Sequence, residues 1–598
     1  MRDFKSNTMN LLLTLDTVWT KAELKKESAT ERLDRHLHSA IAQTWGGLSP
    51  VSLGLALADW AWHLSLSPGR QMELAGKAWR GLEQSCSAPA IVPEDRGASD
   101  EDPRFRHEAW AQWPFCQVRA SFRNCENFWA EAAHVPGMTF HHAQMTHFFA
   151  KQWLGMLTPA NWLPTNPVVL SDALESHGTH LLQGYLHWLE DLAGAHSDWK
   201  RQQAARFSVG KDVACTPGKV VYRNHLIELL RYDAQTEEVH PEPVLMIPSW
   251  IMKYYILDLS PHNSMVRYLV SQGHTVYMLS WRNPEASDHD LSMDDYLRMG
   301  IFDALGAIGN ISGTSCGVHA VGYCLGGTLL AIAAAALARE HGVSRTSHLP
   351  PLQSLTLLAA QTDFSEPGEL GLFIDESQIE YLDNTTRGKG YLTGEQMAGS
   401  FQFLHSRDLI WTRRMREYLM GEREQSNDLM AWNADATRMP ARMHHEYLNS
   451  LYLNNALAST AYEVEGHTIS LGDIKVPVFM VGTQRDHISP WTSVYKLHHL
   501  CDSEITFVLT SGGHNAGIVS EPGHANRSYQ IGTRPQHGAW VEPAHWPVHA
   551  SQQSGSWWPA WHRWLAERSS SPKSAKMLET DQNFGDAPGT YVFQRFKN

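Results

Sequence analysis

The residue with the clearest chemical signature is Cys324, which lies in the run Gly-Tyr-Cys-Leu-Gly-Gly over residues 322–327. An apolar stretch at 317–321 precedes this run and is typical of a buried strand, and the Leu- and Ala-rich stretch at 329–337 strongly favours a helix. Glycines around a strand–turn–helix cysteine allow close packing while leaving the sulfur accessible. The pattern therefore predicts a nucleophilic Cys324, and a buried cysteine at a glycine-rich helix start is the alternative interpretation.

A thiol nucleophile needs a base and a carboxylate that orients the base, and both follow later predicted strands. Asp486 comes after the apolar stretch 476–481, and His514 comes after the stretch 505–509. In a doubly wound sheet, side chains just past the carboxyl ends of the strands meet at the active site. The sequence therefore predicts a Cys324–Asp486–His514 triad in which His514 takes the thiol proton and Asp486 holds the imidazole.

Three neighbouring positions have weaker expected roles. His487 adjoins Asp486 and has either a direct secondary role or a hydrogen bond that shapes the loop. The Leu325 amide, at the start of the helix after the nucleophile, is expected to donate to an oxyanion. A second oxyanion donor is expected after the apolar stretch 244–248, at Trp250 or Ile251.

The elements that must position these residues are short apolar strands separated by helix-sized segments. The strands are predicted at 220–223, 227–232, 244–248, 275–281, 317–321, 355–360, 476–481 and 505–509. The first two suit a hairpin, and the alternation of the others with helices predicts a mostly parallel sheet covered on both faces. The segment at about 364–442 is too long for a loop and is predicted to be a helical cap over the strand ends.

The part of the chain before the sheet is predicted to be helical in two blocks. Residues 1–90 carry apolar faces at helical spacing, an acidic and turn-rich linker follows at 93–103, and a second helical block covers 104–205. Of the 23 tryptophans, 12 lie in the first 200 residues, where helix packing is favoured over binding to an apolar surface. A catalytic domain over 206–598 completes a three-part organisation.

The composition disfavours several functional classes. Lys and Arg total 49 against 63 Asp and Glu, and this net charge of −14 argues against a nucleic-acid-binding protein. Seven cysteines without paired spacing indicate reduced thiols in a cytosol, without a disulfide framework or a zinc site. The sequence shows neither a signal-peptide pattern nor an unbroken run of ~20 apolar residues, so a cytoplasmic protein without a transmembrane segment or metal is expected.

Several motifs together resemble those of polyhydroxyalkanoate synthases of the long, single-subunit class. The turn around Cys324 is similar to that family's lipase-like box with Cys. Further similar blocks lie between about residues 102 and 592, at 253–259, 280–284, 432–437, 486–488 and 587–592. One departure is at the histidine, where the family's usual Gly-His-Ile is Gly513-His514-Asn515.

The resemblance implies an α/β-hydrolase fold with a helical cap, preceded by a mostly α-helical N-terminal domain. It implies polymerisation of (R)-3-hydroxyacyl-CoA, such as short-chain 3-hydroxybutyryl-CoA, into polyester with release of CoA. The CoA thioester is the substrate, so no cofactor is implied. Cys324, Asp486 and His514 match the family's triad, and Ile251 and Leu325 fall where its oxyanion amides lie. A cytoplasmic homodimer associated with polyester granules is also implied.

Two other functions stay open on the sequence. A Cys-dependent α/β hydrolase or thioesterase could use the same triad, because a fold does not determine its reaction. Release of CoA without polymer would identify such an enzyme, whereas a long cap that excludes water favours transfer. A non-catalytic granule-binding protein would keep its biological role after Cys324→Ala, but the complete triad argues against it.

Overall fold

The structure, a computed structural model, describes residues 30, 49–86, 102–193, 206–339, 349–397, 399, 407–423, 425–575 and 582–595. Residues 194–205 of the second predicted helical block and parts of three further predicted features lie outside these residues. The three parts are most of the helical segment 1–90 before residue 49, the linker 93–103 up to residue 101, and a stretch of the cap at 400–406.

The described N-terminal region is helical, as predicted. Its α-helices are α1 Pro50–Ser65, α2 Pro68–Cys86, α3 Phe115–Ala132, α4 Phe140–Leu157, α5 Pro167–Glu175 and α6 Thr179–Leu192. Local sequence explains their starts: the Ser49 and Thr139 side chains cap α1 and α4 by accepting from backbone N–H groups of the first turn. The ring of Phe105 packs edge-on against those of Trp110 and Phe122, with centroid distances of 4.8 and 6.0 Å, and forms a small separate core.

The centre of the molecule is one ten-stranded sheet. Its strands are β1 Gly218–Arg223, β2 Ile227–Tyr232, β3 Val244–Ile247, β4 Val276–Trp281, β5 Val318–Tyr323, β6 Leu352–Leu358, β7 Val478–Thr483, β8 Ile505–Thr510, β9 Ser528–Arg534 and β10 Ser551–Ser554. The spatial order is β1-β2-β4-β3-β5-β6-β7-β8-β9-β10. The six strands from β4 to β8 in this order are mutually parallel, and antiparallel hairpins flank them on both sides.

This sheet confirms the predicted mostly parallel core and the predicted β1–β2 hairpin. Strands β9 and β10, by contrast, were not among the predicted strands. All four residues of β10 are exposed, and β9 has one buried residue of seven, so neither has the apolar run of a core strand. Edge strands of this kind are stabilised by their ladder hydrogen bonds and leave little hydrophobic signal in a sequence.

Further α-helices cover the sheet and build the cap. They are α7 Met265–Ser271, α8 Met293–Asp295, α9 Asp303–Ser312, α10 Leu325–Ala338, α11 Glu376–Arg387, α12 Asp428–Asn433, α13 Ala441–Glu446, α14 Trp491–Tyr495, α15 Leu497–Leu500, α16 Trp546–His549 and α17 Trp558–Ala566. Twelve of the 14 residues of α10 are buried, as expected for a helix that is apolar on all sides. Helix α10 is therefore a rigid support for the cysteine at its N-terminus.

The connection from β6 to β7 is the long helical insertion that the sequence indicated. It contains a 3-10 helix at Glu369–Phe373, helices α11 to α13, and π-helical turns at Arg407–Thr412, Met415–Leu419 and Tyr447–Leu453. The helical part thus continues past residue 442, the expected end of the cap. Side chains from this continuation, among them Tyr447 and Leu448, belong to the same buried cluster as the sheet, and Cys324 packs against that cluster.

The N-terminal region packs directly on this cap. Phe148 of α4 meets Phe373 of the 3-10 helix edge-on, with ring centroids 5.2 Å apart. On α6, Asp191 accepts hydrogen bonds from the Tyr418 hydroxyl at 2.6 Å and from the Arg423 guanidinium at 2.8 Å. Because apolar and charged contacts join the two parts, the N-terminal helices help to set the position of the cap.

Candidate active site

Cys324 occupies a strained turn between β5 and α10. Its φ and ψ are +53° and −125°, a conformation that residues with side chains rarely adopt. Its backbone N–H donates to the Leu358 carbonyl oxygen at 2.8 Å, which ties the turn to β6. This is the predicted strand–turn–helix geometry, in which the side chain is presented at the end of the parallel strands.

The glycines of the turn are required by the close packing around it. A Cβ on Gly322 would lie 2.4 Å from the Cα of Gly327, and a Cβ on Gly327 would lie 2.4 Å from the Cβ of Ala360. A Cβ on Gly326 would lie 2.3 Å from the Ile247 carbonyl oxygen at the end of β3. Contacts this short do not occur between real atoms, so each position excludes a side chain.

We expect Gly326→Ala to disrupt the turn, because the opposing Ile247 oxygen belongs to the backbone and cannot rotate away. Overpacking of this kind costs about 1–3 kcal/mol or more of stability, and we expect at least a tenfold loss of enzymatic activity. Thermal unfolding and turnover of the purified variant measure both effects. Gly388→Ala is the matched control, since a Cβ there meets nothing within 4 Å; equal behaviour of the two variants would contradict the argument.

The structure brings His514 and Asp486 together as predicted. His514 Nδ1 lies 2.7 Å from Asp486 Oδ2, and the two side chains are 9% and 0% exposed. The Thr483 hydroxyl donates to the same carboxylate oxygen at 3.0 Å. The other carboxylate oxygen accepts from the backbone N–H groups of Ile488 and Ser489 at 2.9 and 2.8 Å. Four donors thus hold Asp486 in one orientation.

These contacts determine the charge states of the pair. Burial alone would raise the pKa of Asp486, but His514 and the other hydrogen-bond donors hold that pKa below its usual value. Burial alone would lower the pKa of His514, but Asp486 and the Cys324 side chain raise that pKa well above its usual value, through charge and hydrogen bonding. Because Nδ1 faces Asp486, Nε2 is the nitrogen available to exchange a proton with the thiol.

The two expected oxyanion positions follow neighbouring parallel strands, Ile251 after β3 and Leu325 after β5. Leu325 is the first residue of α10, where a backbone N–H has no acceptor within its own helix. The segment after β3 is fixed by the cap, because Thr437 donates from its hydroxyl to the Trp250 oxygen at 2.7 Å and from its N–H to the Ile251 oxygen at 2.9 Å. The oxyanion roles of Leu325 and Ile251 stay predictions.

His487 has a different setting from its neighbour. Its side chain is exposed, whereas Asp486 is buried. Its backbone oxygen accepts a hydrogen bond from the Glu369 N–H at 3.4 Å. The same oxygen lies so close to Gly368 that a Cβ added to this glycine would be 2.6 Å from it. These contacts of the His487 backbone join the Asp486 loop to the start of the cap.

Aromatic residues of the cap near the thiol were not recognised in the sequence. The Tyr447 hydroxyl donates to the Tyr452 hydroxyl at 3.2 Å, and the Tyr447 ring lies 6.0 Å from that of Trp250. Burial is the largest cause of the raised pKa of both tyrosines, and the nearby Cys324 also raises the pKa of each. Their signal was hidden because spacing along a helix does not distinguish a tyrosine that faces a site from one that fills a core.

The described residues contain no group of three or more His, Cys, Asp or Glu side chains that could hold a metal ion. No helix in the described part of the chain is long and apolar enough to cross a membrane.

Comparison with known families matches most of the chain. Residues 28–70 match the family "Poly-beta-hydroxybutyrate polymerase N terminal", and residues 101–269 match "Poly-beta-hydroxybutyrate polymerase (PhaC) N-terminus". Residues 242–521 match the family described as alpha/beta hydrolase fold. The fold is thus an α/β-hydrolase fold with a helical cap and a helical N-terminal region, as the sequence predicted.

Individual relatives are similar over more than four fifths of the chain. A poly(3-hydroxyalkanoate) polymerase of Methylorubrum extorquens is 38% identical over 519 residues, which cover 86% of this chain and 83% of the relative. A poly(3-hydroxyalkanoate) polymerase subunit PhaC of Cupriavidus necator is 35% identical, covering 82% and 83%. The chain therefore belongs to the poly(3-hydroxyalkanoate) polymerase family and is an enzyme of the acyltransferase type.

Proposed function

We propose that this protein polymerises (R)-3-hydroxyacyl-CoA into polyhydroxyalkanoate and releases CoA, with Cys324 as the covalent nucleophile. The observation that carries the proposal is the placement of Cys324 on the strained turn, beside His514, which pairs with the buried Asp486. The family membership of the chain supports the polymerase reaction, and the geometry supports the cysteine as its nucleophile.

The chemistry suits a thiol. Transfer of an acyl group from the CoA thioester to Cys324 replaces one thioester by another, so little free energy is lost. His514 accepts the thiol proton as the sulfur attacks and protonates the departing CoA thiol. His514 then removes a proton from a 3-hydroxyl group, with Asp486 orienting the imidazole or assisting this second step. The hydroxyl oxygen attacks the carbonyl carbon of the Cys324 thioester, and the C–S bond breaks. The Cys324 sulfur leaves as the thiolate and takes back the proton from His514. The oxoester formed is more stable than the thioester, which makes chain growth favourable.

The tetrahedral intermediate of each step carries an oxyanion. The backbone N–H groups of Leu325 and Ile251 are proposed to donate hydrogen bonds to this oxyanion. One donor of this kind lowers the activation free energy by ~3 kcal/mol. The clamp from Thr437 to the Trp250 and Ile251 oxygens supports this assignment, because a fixed peptide can hold a donor in place without reorganisation. His487 is proposed to shape the acid loop rather than to exchange protons. The reaction needs no cofactor beyond its CoA thioester substrate.

A preference for short acyl chains is part of the proposal. Cys324 packs against the two main buried clusters of the catalytic domain, and the Tyr447 and Tyr452 hydroxyls lie in its surroundings. Bulky side chains around Cys324 leave room for the methyl group of 3-hydroxybutyrate but not for a long alkyl chain. They also keep water from the thioester, which favours transfer over hydrolysis.

The N-terminal region is proposed to serve assembly and attachment to polyester granules in the cytoplasm. It exposes large apolar side chains, including Trp62 at 70%, Trp79 at 65%, Phe140 at 80% and Trp153 at 63% exposure. Exposed apolar side chains of this kind suit contact with a second copy of the chain, in a homodimer, or with the surface of an apolar polymer.

We expect a chain that begins near Ala205 to lose most polymerase activity and granule attachment. It would keep Cys324, Asp486 and His514 but lose the contacts of Phe148 and Asp191 with the cap, and apolar cap surface would be exposed to water. Activity and co-sedimentation with granules are compared with the full chain at equal soluble concentration. If both stay within about twofold, a difference of ~0.4 kcal/mol, the N-terminal region has no such role.

The proposed reaction is tested by measuring CoA release and polymer together on the purified protein with 3-hydroxybutyryl-CoA. We expect one CoA per hydroxybutyrate unit, with most of the units in a high-molecular-mass polyester. Equimolar free 3-hydroxybutyrate without polymer would identify a thioesterase instead. Neither CoA release nor polymer, with granules still bound, would identify a binding protein.

A further inference from the structure

We propose that Asn515 is a positioning residue that holds the His514 loop against the Cys324 turn through a hydrogen bond with Tyr323. The catalytic importance of this hydrogen bond rests on the proposed function. The Tyr323 hydroxyl donates to Asn515 Oδ1 at 2.5 Å. Tyr323 directly precedes Cys324 and Asn515 directly follows His514, so this bond joins the immediate neighbours of the nucleophile and the base.

Both partners of this bond stand on rigid backbone. Tyr323 is the last residue of β5 and is 2% exposed. The Asn515 carbonyl oxygen accepts from the N–H groups of Ile518 and Val519 at 3.1 and 2.9 Å, which closes a tight turn after the histidine. The buried Trp557 adds a bond from its indole N–H to the Gly517 oxygen at 3.1 Å. A side-chain bond between two such segments therefore restrains their separation.

This hydrogen bond restrains the distance between the Cys324 turn and the His514 loop, and proton transfer between the two side chains depends on that distance. Asp486 fixes His514 from the Nδ1 side, which leaves the imidazole free to tilt toward or away from the thiol. The centroids of the Tyr323 and His514 rings are 5.7 Å apart, so the Tyr323 ring also limits how far the imidazole can tilt. Without the Asn515 acceptor, the buried Tyr323 hydroxyl would be left unpaired, so the loop would retreat to let water reach it and the contact between His514 and Cys324 would lengthen.

Tyr323 donates the hydrogen bond over the whole working pH range. Burial, and then the nearby Cys324 and Asp486 groups, raise the pKa of Tyr323 well above its usual value, so the phenol stays protonated. A variant that lacks the Asn515 amide would leave this buried hydroxyl without its acceptor, which is the costly case for a hydrogen bond. Removal of both polar partners restores a matched apolar contact. The two residues are thus expected to be strongly coupled.

The test compares the wild type with Asn515→Leu, Tyr323→Phe and the double variant. For 3-hydroxybutyryl-CoA turnover, we expect Asn515→Leu to lower kcat about tenfold with KM within twofold, and the double variant to recover to within about threefold of the wild type. Equal losses in Asn515→Leu and the double variant, or no loss in Asn515→Leu, would overturn the proposal.

A second readout does not depend on polymerisation. The rate of Cys324 alkylation by iodoacetamide is measured against pH, with the site identified by peptide mass spectrometry. Because His514 promotes formation of the thiolate, the midpoint of this profile is expected to move upward by about one pH unit in Asn515→Leu and to return in the double variant. A lower melting temperature with an unmoved profile would show a purely structural role and overturn the proposal. If the wild type makes no polymer, the alkylation profiles still decide on the pair.

Discussion

Cys324→Ser is expected to lower polymer formation on the order of 1,000-fold, or ~4 kcal/mol, while leaving the fold intact. The serine hydroxyl fits the space of the thiol but ionises far less readily. Its acyl-enzyme would also be an oxoester, so the first transfer would already release the free energy that should drive the second. The wild-type thioester keeps that free energy until the 3-hydroxyl attacks.

The measurement is the rate of polymer formation from 3-hydroxybutyryl-CoA, together with a thermal unfolding curve for each protein. Cys125→Ser is the matched control, because Cys125 is exposed on α3 and belongs to no proposed site. We expect the control to stay within about twofold of the wild type. A Cys324→Ser protein that polymerises at a rate near that of the wild type would disprove the role of the thiol.

His514→Gln is expected to cost about 1,000-fold in turnover, and His487→Gln less than about fivefold. Glutamine can still hydrogen-bond with Asp486, but it cannot accept the thiol proton and return it. The two histidines differ in setting, since the His514 side chain is 9% exposed and pairs with Asp486, whereas His487 is exposed. His487→Gln also serves as the control for a lost imidazole in the same region.

Turnover of both variants is measured at several pH values, and the unfolding curves show whether each remains folded. A comparable loss in the two variants would mean that both histidines act, or that the base has been assigned to the wrong residue.

Much of the catalytic framework was predictable because its signals are local. The Gly-Tyr-Cys-Leu-Gly-Gly run contains its own structural explanation, since the glycines at 322, 326 and 327 each face an atom too close for a Cβ. Asp486 and His514 were identified by their place after apolar strands, and the structure brings them within 2.7 Å. In a parallel sheet, the carboxyl ends of all the strands lie at one edge, so residues that follow different strands can meet there.

Other features depended on contacts that no local pattern encodes. Strands β9 and β10 are mostly polar, so their pairing was not visible in apolar periodicity. The bond between Tyr323 and Asn515 joins residues 192 positions apart, and the docking of Phe148 on Phe373 joins two predicted parts. Each depends on how folded segments meet, and the residue types alone are compatible with many other neighbours.

The most direct test of the central claim is to trap the acyl-enzyme and locate it. The full-length wild-type protein is mixed with a few equivalents of 3-hydroxybutyryl-CoA, quenched in acid within seconds, digested and analysed by peptide mass spectrometry. We predict hydroxybutyryl units on the peptide that contains Cys324, as a series that lengthens with time and that neutral hydroxylamine removes, since this reagent cleaves thioesters. Polymer that forms while the Cys324 peptide stays unmodified, or acyl units found only on another residue, would contradict the account.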